Sequence, residues 1–161
     1  MARLRLLRHI RRVHPDSGDG FVTGADGSPR WGRHGAAGVL LVHEEHVFLA
    51  QRALLTHNGG TWALPGGALH RHETPEEGAF REFVEEVGAP PPHRILTSHT
   101  AIDGTWSYTT VIAELDERWN PTRLSWETSS AQWVHLDEVE AMALHPGFRS
   151  AWPTLRELLP R

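Results

Sequence analysis

One helix near the middle of the chain is marked at both ends by its own residues. Thr74 and Glu77 have the Ser/Thr-x-x-Glu spacing of a capping box, and Pro75 stands at the first helical position, where a missing N–H costs nothing. Gly88 is a natural left-handed terminator, and the three prolines that follow shortly after it forbid continuation. The sequence therefore predicts a helix from about Thr74 to Val87.

This helix is predicted to have one apolar face and one acidic face. The apolar residues have i, i+3, i+4, i+7 spacing: Phe80, Phe83, Val84 and Val87. The acidic residues have i, i+3, i+4 spacing and lie roughly opposite: Glu82, Glu85 and Glu86. Like charges at this spacing repel one another, and Mg²⁺ and Mn²⁺ prefer carboxylate oxygens. We therefore expect the acids to point away from the core, toward a divalent cation or solvent.

Glycines precede this helix in two pairs, Gly59-Gly60 and Gly66-Gly67, on either side of Thr-Trp-Ala-Leu-Pro. Glycine allows backbone to approach a ligand closely. The loop over residues 67–72 is therefore expected to fold over a phosphate or to offer a carbonyl to a metal ion.

Residues 67–89 resemble the Nudix box at every position. The pattern is Gly, five residues, Glu, seven residues, Arg-Glu, an apolar residue, any residue, Glu-Glu, any residue, Gly and an apolar residue. Ala89 is smaller than the aliphatic residue that the family prefers there. The resemblance implies a Nudix hydrolase of the α/β (α+β) class, folded as an α/β/α sandwich with a mixed central β-sheet.

The resemblance also implies roles for the box residues. The metal, Mg²⁺ or Mn²⁺, would be held by Glu82, Glu85, Glu86 and the Gly67 carbonyl. Arg81 would orient the carboxylates together with Glu73; the alternative is an ordinary surface ion pair. The general base is left open between a box glutamate and Glu127 on a later loop, which is equally interpreted as a solvated acid. The catalytic candidates are Glu85, Glu86, Arg81 and Glu127.

Substrate recognition must come from outside the box. The aromatic candidates for stacking on a base are Trp31, Trp62, Trp106, Tyr108 and Trp126, although packing is the commoner role for such residues. Arg33 and Arg52 are candidates to hold phosphates, and Arg52 is favoured because it ends a predicted strand shortly before the box. Arg52, Trp106 and Arg33 are the predicted substrate residues.

The resemblance favours a nucleoside triphosphate or a damaged nucleotide, cleaved to a nucleoside monophosphate and pyrophosphate. The segment after the box lacks the proline marker of ADP-ribose hydrolases and the tyrosine spacing of dinucleoside polyphosphate hydrolases. ADP-ribose, another nucleotide sugar or a dinucleotide is the alternative substrate. A nucleotide-binding sensor without activity is less favoured, because such domains commonly lose box acids. An isoprenoid diphosphate isomerase would need a cysteine, and the chain has none.

Composition bounds the remaining possibilities. The net charge of −4 argues against a nucleic-acid partner, and no apolar run approaches the roughly 18 residues that cross a bilayer. All 16 basic residues counted as Lys or Arg are arginines, which excludes lysine chemistry. A zinc site at His70 and His72 is the minor alternative to imidazoles that face solvent or phosphate. We expect a cytoplasmic monomer or homodimer that binds a small nucleotide.

The chain is expected to consist of an arm and one domain. Residues 1–30 are predicted to be an N-terminal arm or linker. The arginine-rich segment at its beginning is interpreted either as a short helix that packs Leu4, Leu7 and Ile10 on the domain or as a targeting segment. Residues 31–161 are predicted to form the domain. Its predicted strands cover residues 36–42, 46–52, 106–115 and 131–136, and residues 61–64 are a short apolar stretch before Pro65. Its later helices are predicted over 137–144 and 149–159, the second starting near Ala151 so that Pro153 lies in its first turn.

Overall fold

The computed structural model describes residues 14–161, so the predicted N-terminal helix lies outside the described residues. The strands are β1 (Phe21–Thr23), β2 (Pro29–Trp31), β3 (Ala36–His43), β4 (His46–Arg52), β5 (Trp62–Ala63), β6 (Gly66–Ala68), β7 (Arg94–Asp103), β8 (Trp106–Glu114) and β9 (Thr128–His135). The helices are α1 (Pro75–Val87) and α2 (Pro146–Glu157), and a 3₁₀ helix spans Leu136–Ala141.

The central sheet is mixed and divides along its middle. Its main path is β5-β4-β3-β8-β7, with β6 added to β3 and β9 added to β4. Strands β3 and β8 run parallel, whereas the other pairs in this sheet are antiparallel. Only the pairs Val42↔Val47 and His43↔His46 join β3 to β4. Beyond them the two strands separate, and β6 and β5 pair with them in the gap.

Each face of the sheet is covered by one helix. Side chains alternate along β3, so that Leu40 and Val42 belong to the core under α2, while Val39 and Leu41 belong to the core under α1. Trp152 anchors α2 in the first core, and Phe83 anchors α1 in the second. These layers confirm the predicted α/β/α sandwich with a mixed central sheet.

The N-terminal part of the described chain is a two-stranded hairpin, β1 with β2. It is attached to the tip of β7, where Arg30 Nε donates to Asp103 Oδ2 at 2.6 Å and the Ala25 N–H donates to Asp103 Oδ1 at 2.8 Å. Among the described residues, no helix is long and apolar enough to cross a membrane.

The predicted strands agree with the structure better than the predicted later helices. Strand β4 has its predicted bounds, and β9 begins at Thr128, earlier than expected. Strands β6 and β7 were not predicted. The segment predicted as a helix over 137–144 is instead the 3₁₀ helix.

The predicted start of the last helix was wrong. Helix α2 begins at Pro146, because the His145 ring accepts a hydrogen bond from the Gly147 N–H at 3.0 Å and caps the helix. Pro153 therefore lies inside the helix, not in its first turn. It is exposed, so water can reach the Arg149 carbonyl that loses its helical donor.

The capping box of α1 gives a testable stability effect. Thr74 Oγ1 accepts from the Glu77 N–H at 3.2 Å, and Glu77 Oε2 accepts from the Thr74 N–H at 2.9 Å. We expect Thr74→Ala to lower the free energy of unfolding by about 1 kcal/mol, measured by urea denaturation. Thr105→Ala, in an exposed turn, is the control. Equal stabilities of the two variants would contradict a stabilising role for the cap.

Candidate active site

The predicted placement of the α1 acids away from the core was wrong for Glu82. Its side chain is buried, and the residue is only 8% exposed, whereas Val84 of the predicted apolar stripe is 39% exposed. The helix is rotated so that Ala79, Phe83 and Val87 face the sheet. Glu82 is tolerated in this position because a positively charged side chain and the glycine residues of β6 lie next to it.

Arg81 is that cation, and it joins the acids of the box. Its Nε donates to Glu73 Oε1 at 2.6 Å, and its Nη1 donates to Glu82 Oε1 at 2.7 Å and to Glu85 Oε1 at 3.3 Å. Its Nη2 donates to Glu73 Oε2 at 3.0 Å and to the Ala68 carbonyl at 2.9 Å. The ordinary surface ion pair is thereby excluded, because the Arg81 side chain is only 23% exposed and Glu73 only 11%.

These contacts shift the pKa values of both partners. Burial disfavours the charged form of Glu73, but the hydrogen bonds from Arg81 and from the His70 N–H prevail and hold the Glu73 pKa below its usual value. Burial likewise opposes the charge of Arg81, and the carboxylates of Glu73 and Glu82 raise its pKa. Both groups are therefore charged at neutral pH.

Strand β6 brings glycine backbone against these acids. Gly67 pairs with Ala37 of β3, and a Cβ atom at Gly67 would lie 2.5 Å from the Glu82 carboxyl carbon. Any larger residue at this position would displace the carboxylate. The glycine pair therefore does what its composition predicted, since it permits close approach, although it does so as a strand rather than as a loop.

Glu86 lies at the division of the sheet in an electrostatically unfavourable position. Burial, with repulsion from Glu82 and Glu127, raises the Glu86 pKa to about 8, despite opposing effects of Arg52 and of a hydrogen bond from the Gly66 N–H. A carboxyl group with a raised pKa releases its proton when a metal cation binds to it.

Arg52 and Glu127 share a small cavity with Glu86, lined also by Leu64 and Thr128. Strands β4 and β9 bring them together, and the Ala53 N–H donates to the Glu127 carbonyl at 2.8 Å. Arg52 Nε donates to the His57 carbonyl at 2.8 Å, which orients the guanidinium. A larger groove between the start of α1 and strands β7 and β8 is lined by none of these residues.

The carboxylates fit a divalent cation chemically but are not arranged around one. Across residues 14–161, no three His, Asp or Glu side chains converge closely enough to hold an ion. Glu82 and Glu85 are turned toward Arg81, whose single positive charge they share with Glu73. The carboxylate oxygens suit Mg²⁺ or Mn²⁺ because they are hard donors that repel one another beside a glycine backbone. To bind such an ion, Glu82 and Glu85 would give up part of their contact with Arg81.

Two predicted substrate residues have other contacts. Arg33 lies beside Gly20 near the base of the hairpin, where a Cβ atom on that glycine would lie 2.4 Å from the Arg33 Nε. Trp106 Nε1 donates to the Trp31 carbonyl at 3.1 Å, and its ring centroid lies 6.2 Å from that of Tyr108. His70 stacks on His14, with ring centroids 4.7 Å apart.

The sequence did not indicate that His145 and Asn58 lie near Arg52. His145 Nε2 lies 3.2 Å from the Asn58 side-chain nitrogen. Because the other ring nitrogen of His145 accepts from Gly147, its Nε2 carries the proton, and the Asn58 amide is best turned to present its oxygen. Burial and the nearby charges of Arg52 and His57 lower the His145 pKa to about 4. The separation of these residues along the chain left no signal in the sequence.

Comparison with known proteins places the chain in a family. Residues 32–158 match the NUDIX domain. A Mycobacterium tuberculosis protein named "Putative 8-oxo-dGTP diphosphatase 3" is 42% identical over 153 residues, which cover 86% of this chain and 69% of the relative. The Escherichia coli 8-oxo-dGTP diphosphatase is 28% identical over 123 residues, which cover 76% of this chain and 95% of the relative.

A solved structure agrees with these matches. The crystal structure of a Nudix hydrolase from M. smegmatis, RenU, superposes with a TM-score of 0.77 at 40% identity, and the match covers 89% of this chain and 100% of that one. The box residues, the sandwich and these relatives agree with one another. The chain belongs to the Nudix family and is a Nudix-type pyrophosphohydrolase.

Proposed function

We propose that the protein hydrolyses a nucleoside triphosphate or a damaged nucleotide, with Mg²⁺, to a nucleoside monophosphate and pyrophosphate. The observation that carries the proposal is the meeting of Glu86, Glu127 and Arg52 in one cavity beside α1. It combines acids that suit a hard cation with a guanidinium that suits a phosphate. The names of the mycobacterial and E. coli relatives support the choice of a nucleoside triphosphate.

In this proposal the α1 carboxylates and one backbone carbonyl bind the metal. The ligands are Glu82, Glu85, Glu86 and the Gly67 carbonyl. The bound ion neutralises charge on the diphosphate and stabilises the departing phosphate. Arg81, held by Glu73, fixes the positions of the Glu82 and Glu85 carboxylates through its hydrogen bonds to them.

The reaction joins water to one phosphorus of the anhydride and breaks the bridging P–O bond. A carboxylate accepts the proton that the attacking water loses, and the bridging oxygen leaves on the other phosphate. Glu127 is proposed as the base because it enters the cavity from the loop before β9 and not from the metal-binding helix. Arg52 binds the phosphate that is not attacked.

A product screen tests the proposed function. Purified protein is incubated with nucleoside triphosphates, oxidised nucleotides, ADP-ribose, NADH and dinucleoside polyphosphates, with and without Mg²⁺. We expect Mg²⁺-dependent release of pyrophosphate from a nucleoside triphosphate or its oxidised form. Hydrolysis in H₂¹⁸O then identifies the attacked phosphorus. Preferred cleavage of ADP-ribose or a dinucleotide would overturn the substrate, and nucleotide binding without turnover would overturn the enzymatic role.

The role of Arg52 predicts a change in KM. Arg52→Gln removes a charged hydrogen bond to phosphate worth about 1.5–3 kcal/mol, so we expect KM to rise by roughly 10- to 100-fold. Steady-state kinetics with the best substrate from the screen measures this effect. Arg118→Gln, at an exposed site, is the matched control. An unchanged KM in Arg52→Gln would remove Arg52 from the substrate site.

A further inference from the structure

Tyr108 places its hydroxyl in a notch made by two glycines. Gly38 of β3 and Gly66 of β6 are direct partners across the sheet. A Cβ atom on Gly38 would lie 2.4 Å from the Tyr108 hydroxyl oxygen, and one on Gly66 would lie 2.6 Å from it. Such distances are too short for any side chain, so the glycines leave the space that the phenol occupies.

The notch lies beside the carboxylates. The charges that act on the Tyr108 hydroxyl come from Glu86, Glu82 and Arg52. Burial, followed by the two carboxylates, raises the Tyr108 pKa above its usual value, so the phenol keeps its proton and can donate it. Tyr108 therefore belongs to the same site as the box.

The hydroxyl has an unused hydrogen-bonding capacity. No hydrogen bond from a described residue reaches it, although a buried tyrosine hydroxyl usually finds a partner. It is also absent from the unpaired polar atoms that protein seals from solvent, which in the described chain are His46 Nδ1, Ser125 Oγ and Trp152 Nε1. The oxygen is thus crowded by the two glycines, in a residue that is only partly buried as a whole.

The Tyr108 ring packs against the protein core. It lies against the core under α2 that contains Leu40 and Ile112. Stacking on a base, the role predicted from the sequence, would require this ring face. Only the hydroxyl end of Tyr108 is therefore available to a ligand.

Along β8 the hydroxyl lies between two kinds of surface. The Trp106 ring, two residues earlier on the strand, has its centroid 6.2 Å from that of Tyr108, and the carboxylates of Glu82 and Glu86 act on the hydroxyl at the other end of the tyrosine. A nucleotide has its sugar and first phosphate between an aromatic base and the remaining phosphates. The order of groups in the cleft matches the order in that ligand.

We propose that Tyr108 is a positioning residue whose hydroxyl donates a hydrogen bond to the sugar or the first phosphate of a bound nucleotide. This inference rests on the proposed function. The bond would hold the nucleoside part of the substrate while the carboxylates and Arg52 engage the phosphates.

The test is Tyr108→Phe, which removes the hydroxyl and keeps the packing. We expect KM for the nucleotide substrate to rise about 3- to 10-fold, the size of one hydrogen bond, while kcat changes by less than about twofold. By calorimetry, the nucleoside monophosphate product should bind more weakly by the same factor. Inorganic pyrophosphate and Mn²⁺ should bind as they do to the wild type, because neither contains the sugar or the phosphate attached to it.

A control variant and one further ligand complete the design. Ser98→Ala removes an exposed hydroxyl from the neighbouring strand β7 and should leave every constant unchanged. The free nucleoside separates the two acceptors, because Tyr108→Phe weakens its binding if the sugar accepts the bond and does not if the phosphate accepts it.

The inference is overturned if Tyr108→Phe matches the wild type in KM and in monophosphate binding. It is also overturned if pyrophosphate binding falls equally, or if the free energy of unfolding falls with the affinity, since either would indicate a structural role. Failure of the proposed function would look different, because the wild-type protein itself would then release no pyrophosphate.

Discussion

Glu86→Gln is expected to lower kcat by about 10³-fold or more while the fold stays intact. The substitution keeps the shape of the side chain but removes the charge that the proposed Mg²⁺ site requires. Pyrophosphate release measures the rate, and calorimetric titration with Mn²⁺ should show weaker binding.

The stability of the same variant should move in the opposite direction. Glu82 and Glu127 repel the Glu86 carboxylate, so the neutral amide is expected to leave the metal-free protein as stable as the wild type or more stable. Added Mg²⁺ should raise the melting temperature of the wild type and have less effect on the variant. Glu76→Gln, at an exposed site in the first turn of α1, is the matched control. Full activity in Glu86→Gln would remove the box from the active site.

Arg81→Gln is expected to cause the largest loss of stability. It leaves the buried carboxylates of Glu73 and Glu82 without their cation, so the free energy of unfolding should fall by about 3–5 kcal/mol, measured by urea denaturation. Activity should fall as well, by roughly 10- to 100-fold, because the metal-binding carboxylates lose their orientation.

Two variants separate the network from simple charge. Arg81→Lys keeps the charge but cannot reach Glu73, Glu82 and the Ala68 carbonyl together, so we expect only partial recovery. Arg94→Gln breaks an ion pair with Glu114 in which Arg94 is 75% exposed, so its stability should be nearly unchanged. Arg81→Gln with the stability of Arg94→Gln would contradict the buried network.

The ends of α1 and strand β4 could be predicted from the sequence, because the residues that indicate each of them lie within a few positions of one another. The Thr74 cap is observed as predicted, and Gly88 ends the helix with a positive φ of 93°, although its ψ of −176° lies outside the left-handed helical conformation that was predicted. Strand β4 likewise has its predicted bounds, around a short continuous run of buried apolar residues from Val47 to Ala50. The start of α2 was missed because the start was placed so that Pro153 would lie in the first turn, whereas the His145 ring caps a helix that begins at Pro146.

Periodicity alone misjudged the rotation of α1. An apolar stripe predicts that acids lie opposite the core, but Glu82 is buried because Arg81 and the glycines of β6 accommodate it. The cost of burying a charge depends on partners that the local pattern does not contain. The same limitation hid β7, whose segment carries little regular alternation.

The sequence by itself determined helix α1, its N-terminal cap and the acids that it carries, since these depend on residues close together in the chain. It also determined the family, through the spacing of the box. Only the tertiary structure decided which side chains meet those acids. The division between β3 and β4 brings Arg52, Glu127 and the Tyr108 hydroxyl to Glu86 from three separate elements. Such meetings depend on how strands pair across the sheet, and neither periodicity nor spacing within one segment records that pairing.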